Sequence, residues 1–161
     1  MKSRFDKHQF ACVILLATVL LTLIFIFGNS LVSREQSQGI SDKVNESVGA
    51  VIESVTGKED SSFENFFTKY HRKIAHFIEF AALGAQIALL LHVAKKRRFS
   101  PLLSGALASF LFASVDEGIQ MFTERGDAVK DIFIDAFGYM SAYFLVILIL
   151  YFFSWRRRAN T

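Results

Sequence analysis

Cysteine occurs once in the 161 residues, as Cys12, and proline once, as Pro101. A lone thiol excludes an intrachain disulfide, and inside an apolar block Cys12 reads as one more small hydrophobe. Pro101 suits the first turn of a helix, where its fixed φ and missing N–H cost nothing. Charge is absent from residues 10–27. Internal repeats and low-complexity tracts are also absent, and no spacing has the strength of a zinc signature, so neither a metal nor an organic cofactor is expected. The chain carries a net charge of +3. Its basic residues, however, neither line one amphipathic face nor alternate with base-stacking aromatics, which argues against nucleic acid as a partner.

Apolar residues dominate instead, at 52% of the chain, with a mean hydropathy of +0.35, and they come in long blocks. That pattern indicates membrane spans. Residues 10–27 are long enough to cross a hydrocarbon core of about 30 Å. They follow Lys2, Arg4 and Lys7 and lack a good small-x-small cleavage site, so they read as an uncleaved N-terminal anchor. A second span covers residues 74–94 and closes on Lys95-Lys96-Arg97-Arg98. A third covers residues 101–122, and a fourth, residues 132–153, ends at Trp155 and Arg156-Arg157-Arg158. An interfacial aromatic followed by arginines is a membrane anchor.

Residues 28–73 change character and read as a solvated extracytoplasmic loop. Within it Ile40, Val44, Val48, Val51, Ile52 and Val55 recur with the period of an amphipathic helix. A second set, Phe63, Phe66, Phe67, Tyr70 and Ile74, follows Gly57. Both segments suit the membrane surface or a lid over the bundle. Putting the three basic clusters in the cytoplasm requires four spans with both termini inside. The expectation is therefore a single all-α domain over residues 1–161, an integral membrane helical bundle of four transmembrane helices with a core at 70–153.

This topology gathers the polar residues. His76 and Glu79 fall at the start of span two. Asp116, Glu117 and Gln120 fall at the end of span three, in Ser114-Val115-Asp116-Glu117-Gly118-Ile119-Gln120, and Asp131 and Asp135 at the start of span four. All lie in the extracytoplasmic half. Helical spacing puts Gly105, Ala108, Ser109, Phe112, Ala113, Asp116, Glu117 and Gln120 on one stripe, and Asp131, Asp135, Gly138 and Ala142 on another. An ionisable group at bilayer depth costs on the order of 2.5–3.5 kcal/mol on insertion scales, so it is rarely placed there without a partner or a task.

Two uses of such a pocket stand side by side. His76 could act as base or nucleophile with Glu79, Asp116, Glu117 and Asp135 as acidic partners, while Arg72, Lys73 and Arg125 at the rim hold an anionic headgroup. Alternatively, Lys73, Arg125 and Lys130 neutralise the acids, and the network only fixes the bundle. A divalent cation held by oxygens and one imidazole is the lesser possibility.

The segment Arg72-Lys73-Ile74-Ala75-His76-Phe77-Ile78-Glu79-Phe80, with Leu83-Gly84 after it, resembles a motif of the VanZ-like proteins. So does Asp116-Glu117 with Gln120 and Phe122, followed by Arg125, Asp131, Asp135 and Gly138. The resemblance covers roughly residues 70–140. Two departures are a Phe at position 80, where the family commonly has Tyr, and the lack of a Pro-Gly type turn before Arg125. The resemblance implies a bacterial inner-membrane protein whose relatives raise resistance to the glycopeptide teicoplanin. Its expected partners are membrane lipids and a cell-envelope lipid precursor or lipoglycopeptide. Function is open between a protein without turnover that acts on resistance and an intramembrane enzyme for a lipid-phosphate or isoprenoid-linked headgroup.

Overall fold

Long uninterrupted apolar runs with no internal proline can only satisfy their backbone in a low-dielectric surrounding by forming helices. A computed structural model describes residues 7–32, 61–94, 101–123 and 129–159, together with scattered residues between 39 and 54. The described chain is all-helical. Its four long helices are α1 (Lys7–Leu31), α2 (Ser61–Val93), α3 (Pro101–Phe122) and α4 (Val129–Ala159). The described residues between 39 and 54, Lys43, Val48 and Val51 among them, are helical as well, while Ile40, Val44, Ile52 and Val55 lie outside the described residues.

Two boundaries differ from the reading of composition. Helix α1 includes Gly28–Leu31, four residues assigned above to the loop, because Gly28 alone does not stop a helix that continues to gain packing at Ser30. Helix α2 begins at Ser61, so the aromatic set around Phe66 and Tyr70 is the first part of a single 33-residue helix. The Phe66 and Tyr70 rings, one helical turn apart, meet in a tilted arrangement at 4.9 Å, and no proline interrupts the run before Val93.

Among the described residues, three helical stretches are long and apolar enough to cross a membrane: Lys7–Leu31, Tyr70–Val93 and Lys130–Ala159. At 22 residues, α3 has the length, about 33 Å at the α-helical rise. Asp116, Glu117 and Gln120 in its last two turns lower its apolar character, so among the described residues length and composition mark three of the four expected spans and leave α3 unmarked. The surfaces of α1 and α4 are apolar, with Leu20, Leu21, Ile24 and Phe25 exposed on one and Leu145, Leu148, Phe152 and Phe153 on the other. Patches of that kind need a lipid or protein cover. Near the end of α4 the Arg156 guanidinium lies 5.3 Å from the Phe152 ring centre, with Trp155 alongside.

The most extensive packing joins α2 to α4. Helix α3 packs on α4, and α1 lies against α2 and α3. Neighbours run α1, α2, α4, α3 around the bundle. Contacts between α2 and α4 advance together, from Lys73–Asp131 through Phe77–Gly138 to Gly84–Tyr139, so these helices run the same way. Contacts between α3 and α4 run in opposition, with Ser104 beside Tyr143 and Phe112 beside Tyr139. The C-terminal ends of α1 and α3 therefore meet the N-terminal part of the α2–α4 pair at one end of the bundle.

Glycine makes the central contact close. A Cβ at Gly84 would collide with the Tyr139 carbonyl, and one at Gly138 would stand 2.5 Å from the Phe77 carbonyl oxygen. Each helix thus presents a glycine to the other's backbone, the small-residue mode of membrane helix packing. Phe80, Leu83, Ala113, Ala136, Tyr139 and Tyr143 fill the interior below, the Tyr139 and Tyr143 rings stacking at 5.8 Å.

Candidate functional site

Residues from all four helices converge at the end where α1 and α3 finish. The stripe that ends in Asp116, Glu117 and Gln120 is the buried side of α3, while Leu107, Leu111 and Val115 face outward. Asp116 is 0% exposed, Glu117 2% and Gln120 7%; on α4, Asp135 is 1% exposed. Four polar side chains, three of them acids, are thus withdrawn from the surface at one level.

Asp116 accepts two side-chain hydrogen bonds. Its Oδ1 accepts a hydrogen bond from the Ser30 hydroxyl at 2.6 Å, and its Oδ2 accepts one from the Gln120 amide at 2.6 Å. Short contacts of this kind to a carboxylate are the stronger class of hydrogen bond. The same Oδ2 faces His76 Nδ1 at 3.7 Å, and on its other flank Nδ1 lies 3.9 Å from Asp135 Oδ1. The imidazole therefore sits between carboxylates from two other helices. Neither oxygen of Asp135 has a hydrogen-bond partner among the described residues.

Around this core, Glu79 accepts a hydrogen bond from the Asn29 side-chain amide at 3.3 Å. Nearer the edge, Lys73 pairs with Asp131 at 2.6 Å, both partly exposed. Arg72 is half-buried, and Arg125 lies outside the described residues. The sequence placed His76, Glu79, Asp116, Glu117, Gln120, Asp131 and Asp135 at one end, and the structure brings them there. Lys73 is paired with Asp131. Among the described residues neither Asp116 nor Asp135 is paired with a lysine or arginine.

Sequence reasoning missed α1's contribution. Asn29 and Ser30 were grouped with the loop, yet both reach acids of the site. The Thr123 hydroxyl, 3.1 Å from the carbonyls of both Ser30 and Gln120, ties the ends of α1 and α3 together. The available signal was the pair of amide and hydroxyl side chains directly after an uncharged apolar run, where an in-membrane partner would be needed. Removing the Ser30 hydroxyl is expected to cost about 1.5–3 kcal/mol, the range for a hydrogen bond to a charged group. Thermal unfolding of Ser30→Ala in detergent measures it, and an unchanged midpoint would show that the bond contributes nothing.

Chemically, the arrangement can hold a proton or a cation between an imidazole and two carboxylates, or orient the imidazole as a base. A bundle of apolar, membrane-length helices that closes around such a cluster is a multi-pass membrane protein with an acidic site at one end. The family model described as VanZ/LLP1 matches residues 11–152, and the chain belongs to that family. The match extends well beyond the 70–140 segment and takes in α1, consistent with Asn29 and Ser30 being part of the same unit. No curated protein and no solved structure matches the chain.

Proposed function

We propose that this protein acts in the cytoplasmic membrane of a bacterium, with all four helices spanning it and both termini in the cytoplasm. It lowers susceptibility to teicoplanin by engaging a lipid-linked cell-envelope component at the outer leaflet, without turnover. Helix α3 spans despite its acids because Asp116 and Glu117 are turned into the bundle, where lipid does not meet them. The basic clusters at 95–98 and 156–158 favour the cytoplasmic side for the opposite end. Family membership supports the envelope setting. One observation carries the reading: buried acids from two helices and a histidine from a third meet at one point, which packing alone does not require when small apolar residues do it at lower cost.

A second reading has its own support. The His76 imidazole lies between two carboxylates, so it is oriented as a base would be in an enzyme acting on a lipid-phosphate or isoprenoid-linked headgroup. Arg72, Lys73 and Arg125 would then hold the phosphate at the rim.

The test is teicoplanin susceptibility of cells expressing wild type, His76→Gln, Glu117→Gln and variants in residues 40–70. The non-enzymatic reading expects both groups of variants to reduce protection. An enzyme expects pocket variants alone to abolish it, with membrane levels unchanged. Wild-type protection in every pocket variant would end both readings. Orientation is checked by cysteine labelling in a Cys12→Ala background. A cysteine at position 119 should react with impermeant reagent applied from outside; labelling only from inside would reverse the topology.

A further inference from the structure

His76, Asp116 and Asp135 each direct one ligand-type atom to a common point, and these atoms lie within 4.8 Å of one another. The two separations from His76 Nδ1, 3.7 and 3.9 Å, are too long for hydrogen bonds. They suit ligands of a shared ion, since metal–ligand distances near 2.0–2.2 Å put neighbouring ligand atoms roughly 3–4 Å apart. An independent observation points the same way. Asp135 is 1% exposed, and both its oxygens lack any hydrogen-bond donor among the described residues. Among the described residues no lysine or arginine pairs with it, and a protonated His76 at 3.9 Å would be shared with Asp116, so two buried carboxylates face less than their compensating charge.

We propose that His76, Asp116 and Asp135 bind a divalent cation, with Asp135 completed by the ion itself. Mixed imidazole and carboxylate ligation favours Zn²⁺ or Mn²⁺ over Mg²⁺ and Ca²⁺, which take oxygen ligands. Ser30 and Gln120, donating to Asp116 at 2.6 Å each, play the part of the outer partners that orient a metal-binding carboxylate. Three protein ligands leave coordination positions open, as in sites where a metal meets water or substrate. An anionic phosphate oxygen is the natural occupant. That last step rests on the envelope-headgroup reading above; the ion site does not.

No local motif announces such a site. The ligands are contributed at positions 76, 116 and 135 by three different helices, so no short spacing exists to be read.

The experiment uses the full chain in detergent, stripped with EDTA and titrated with Zn²⁺ or Mn²⁺ alone. Calorimetry and elemental analysis should find one ion per chain in wild type. Binding should be lost in His76→Ala and in the isosteric Asp135→Asn. Ser30→Ala should weaken it by about 10–100-fold, the range for an outer-shell partner. In wild type, pulsed electron paramagnetic resonance of bound Mn²⁺ should show coupling to one imidazole nitrogen, a readout that needs no variant to fold. Wild type that binds no ion, or bound Mn²⁺ without nitrogen coupling, overturns the proposal. Binding unchanged in both ligand variants does so too. The outcomes separate cleanly from those for function: an ion bound while the same variants protect cells normally would sink the envelope reading alone. An ion-free protein whose pocket variants lose protection would sink the ion site alone.

Discussion

Replacing Gly138 by valine is expected to separate α2 from α4 and to abolish function together with stability. At this position a Cβ stands 2.5 Å from the Phe77 carbonyl oxygen and 3.1 Å from the Phe77 Cα, and both atoms are backbone. No side-chain rotation relieves the collision, so the helices themselves must move. Overpacking of a filled core typically costs 1–3 kcal/mol and occasionally more; a backbone clash at the most extensive helix contact belongs at or above the upper end of that range. Gly84→Val, facing the Tyr139 backbone, should behave alike. The functional loss follows from position. His76 precedes Phe77 by one residue and Asp135 precedes Gly138 by one helical turn, so the displaced helices are those that set the His76–Asp135 separation. Gly118→Ala is the control. Nothing lies within 4 Å of its added Cβ, and replacing a helical glycine by alanine is worth roughly 0.5–1 kcal/mol of stability where space allows. Thermal unfolding in one detergent, with membrane abundance in cells, reads all three. A Gly138→Val protein as stable as wild type would show that the two helices are not in backbone contact.

The face of each helix was legible in the sequence, and its neighbours were not. Spacing at three and four residues was enough to assign Asp116, Glu117 and Gln120 to one side of α3 together with Gly105 and Ser109, because side-chain direction in a helix is fixed by geometry alone. The convergence of polar residues at one end was legible too, since it needs only alternating helix directions. What spacing cannot convey is a pairing between residues far apart in the chain. The Ser30–Asp116 bond spans 86 positions, and Ser30 carries no local mark beyond being polar at the end of an apolar run. The reciprocal glycines were equally silent: Gly138 was read as a small residue on the Asp135 face and Gly84 as part of a motif, but backbone contact depends on the crossing of the two helices. The continuity of α2 was obscured by composition. Residues 61–69 are polar and aromatic where the following stretch is apolar, and the change suggested a boundary although nothing in the run breaks a helix.

Asp116 and Asp135 look alike in the sequence, two aspartates at membrane depth, yet they should respond to substitution in opposite directions. Asp116→Ala is expected to be strongly destabilising. It strands the Ser30 hydroxyl and the Gln120 amide, which both donate to Asp116, and each buried polar group left without its partner costs about 1–3 kcal/mol. The loss also removes a bond that ties α1 to the end of α3, where the Thr123 hydroxyl still donates to the Ser30 carbonyl. Among the described residues Asp135 has no hydrogen-bond partner to lose. In EDTA-treated protein, Asp135→Asn keeps the shape of the side chain while replacing a buried carboxyl that has no hydrogen-bond partner among the described residues, and relieving the burial of an ill-compensated ionisable group is expected to be stabilising. Its unfolding midpoint should therefore rise, even as the protection against teicoplanin proposed above disappears. A residue that costs stability and is needed for activity marks a working site, because only function can offset its presence. Added Zn²⁺ should reverse the order, raising the wild-type midpoint and leaving Asp135→Asn where it was, since an ion that binds only the folded state stabilises it by mass action. Should Asp135→Asn instead lower the midpoint of the stripped protein to the level of Asp116→Ala, Asp135 would be a structural residue like its counterpart on α3. The distinction drawn between the two aspartates would then fail.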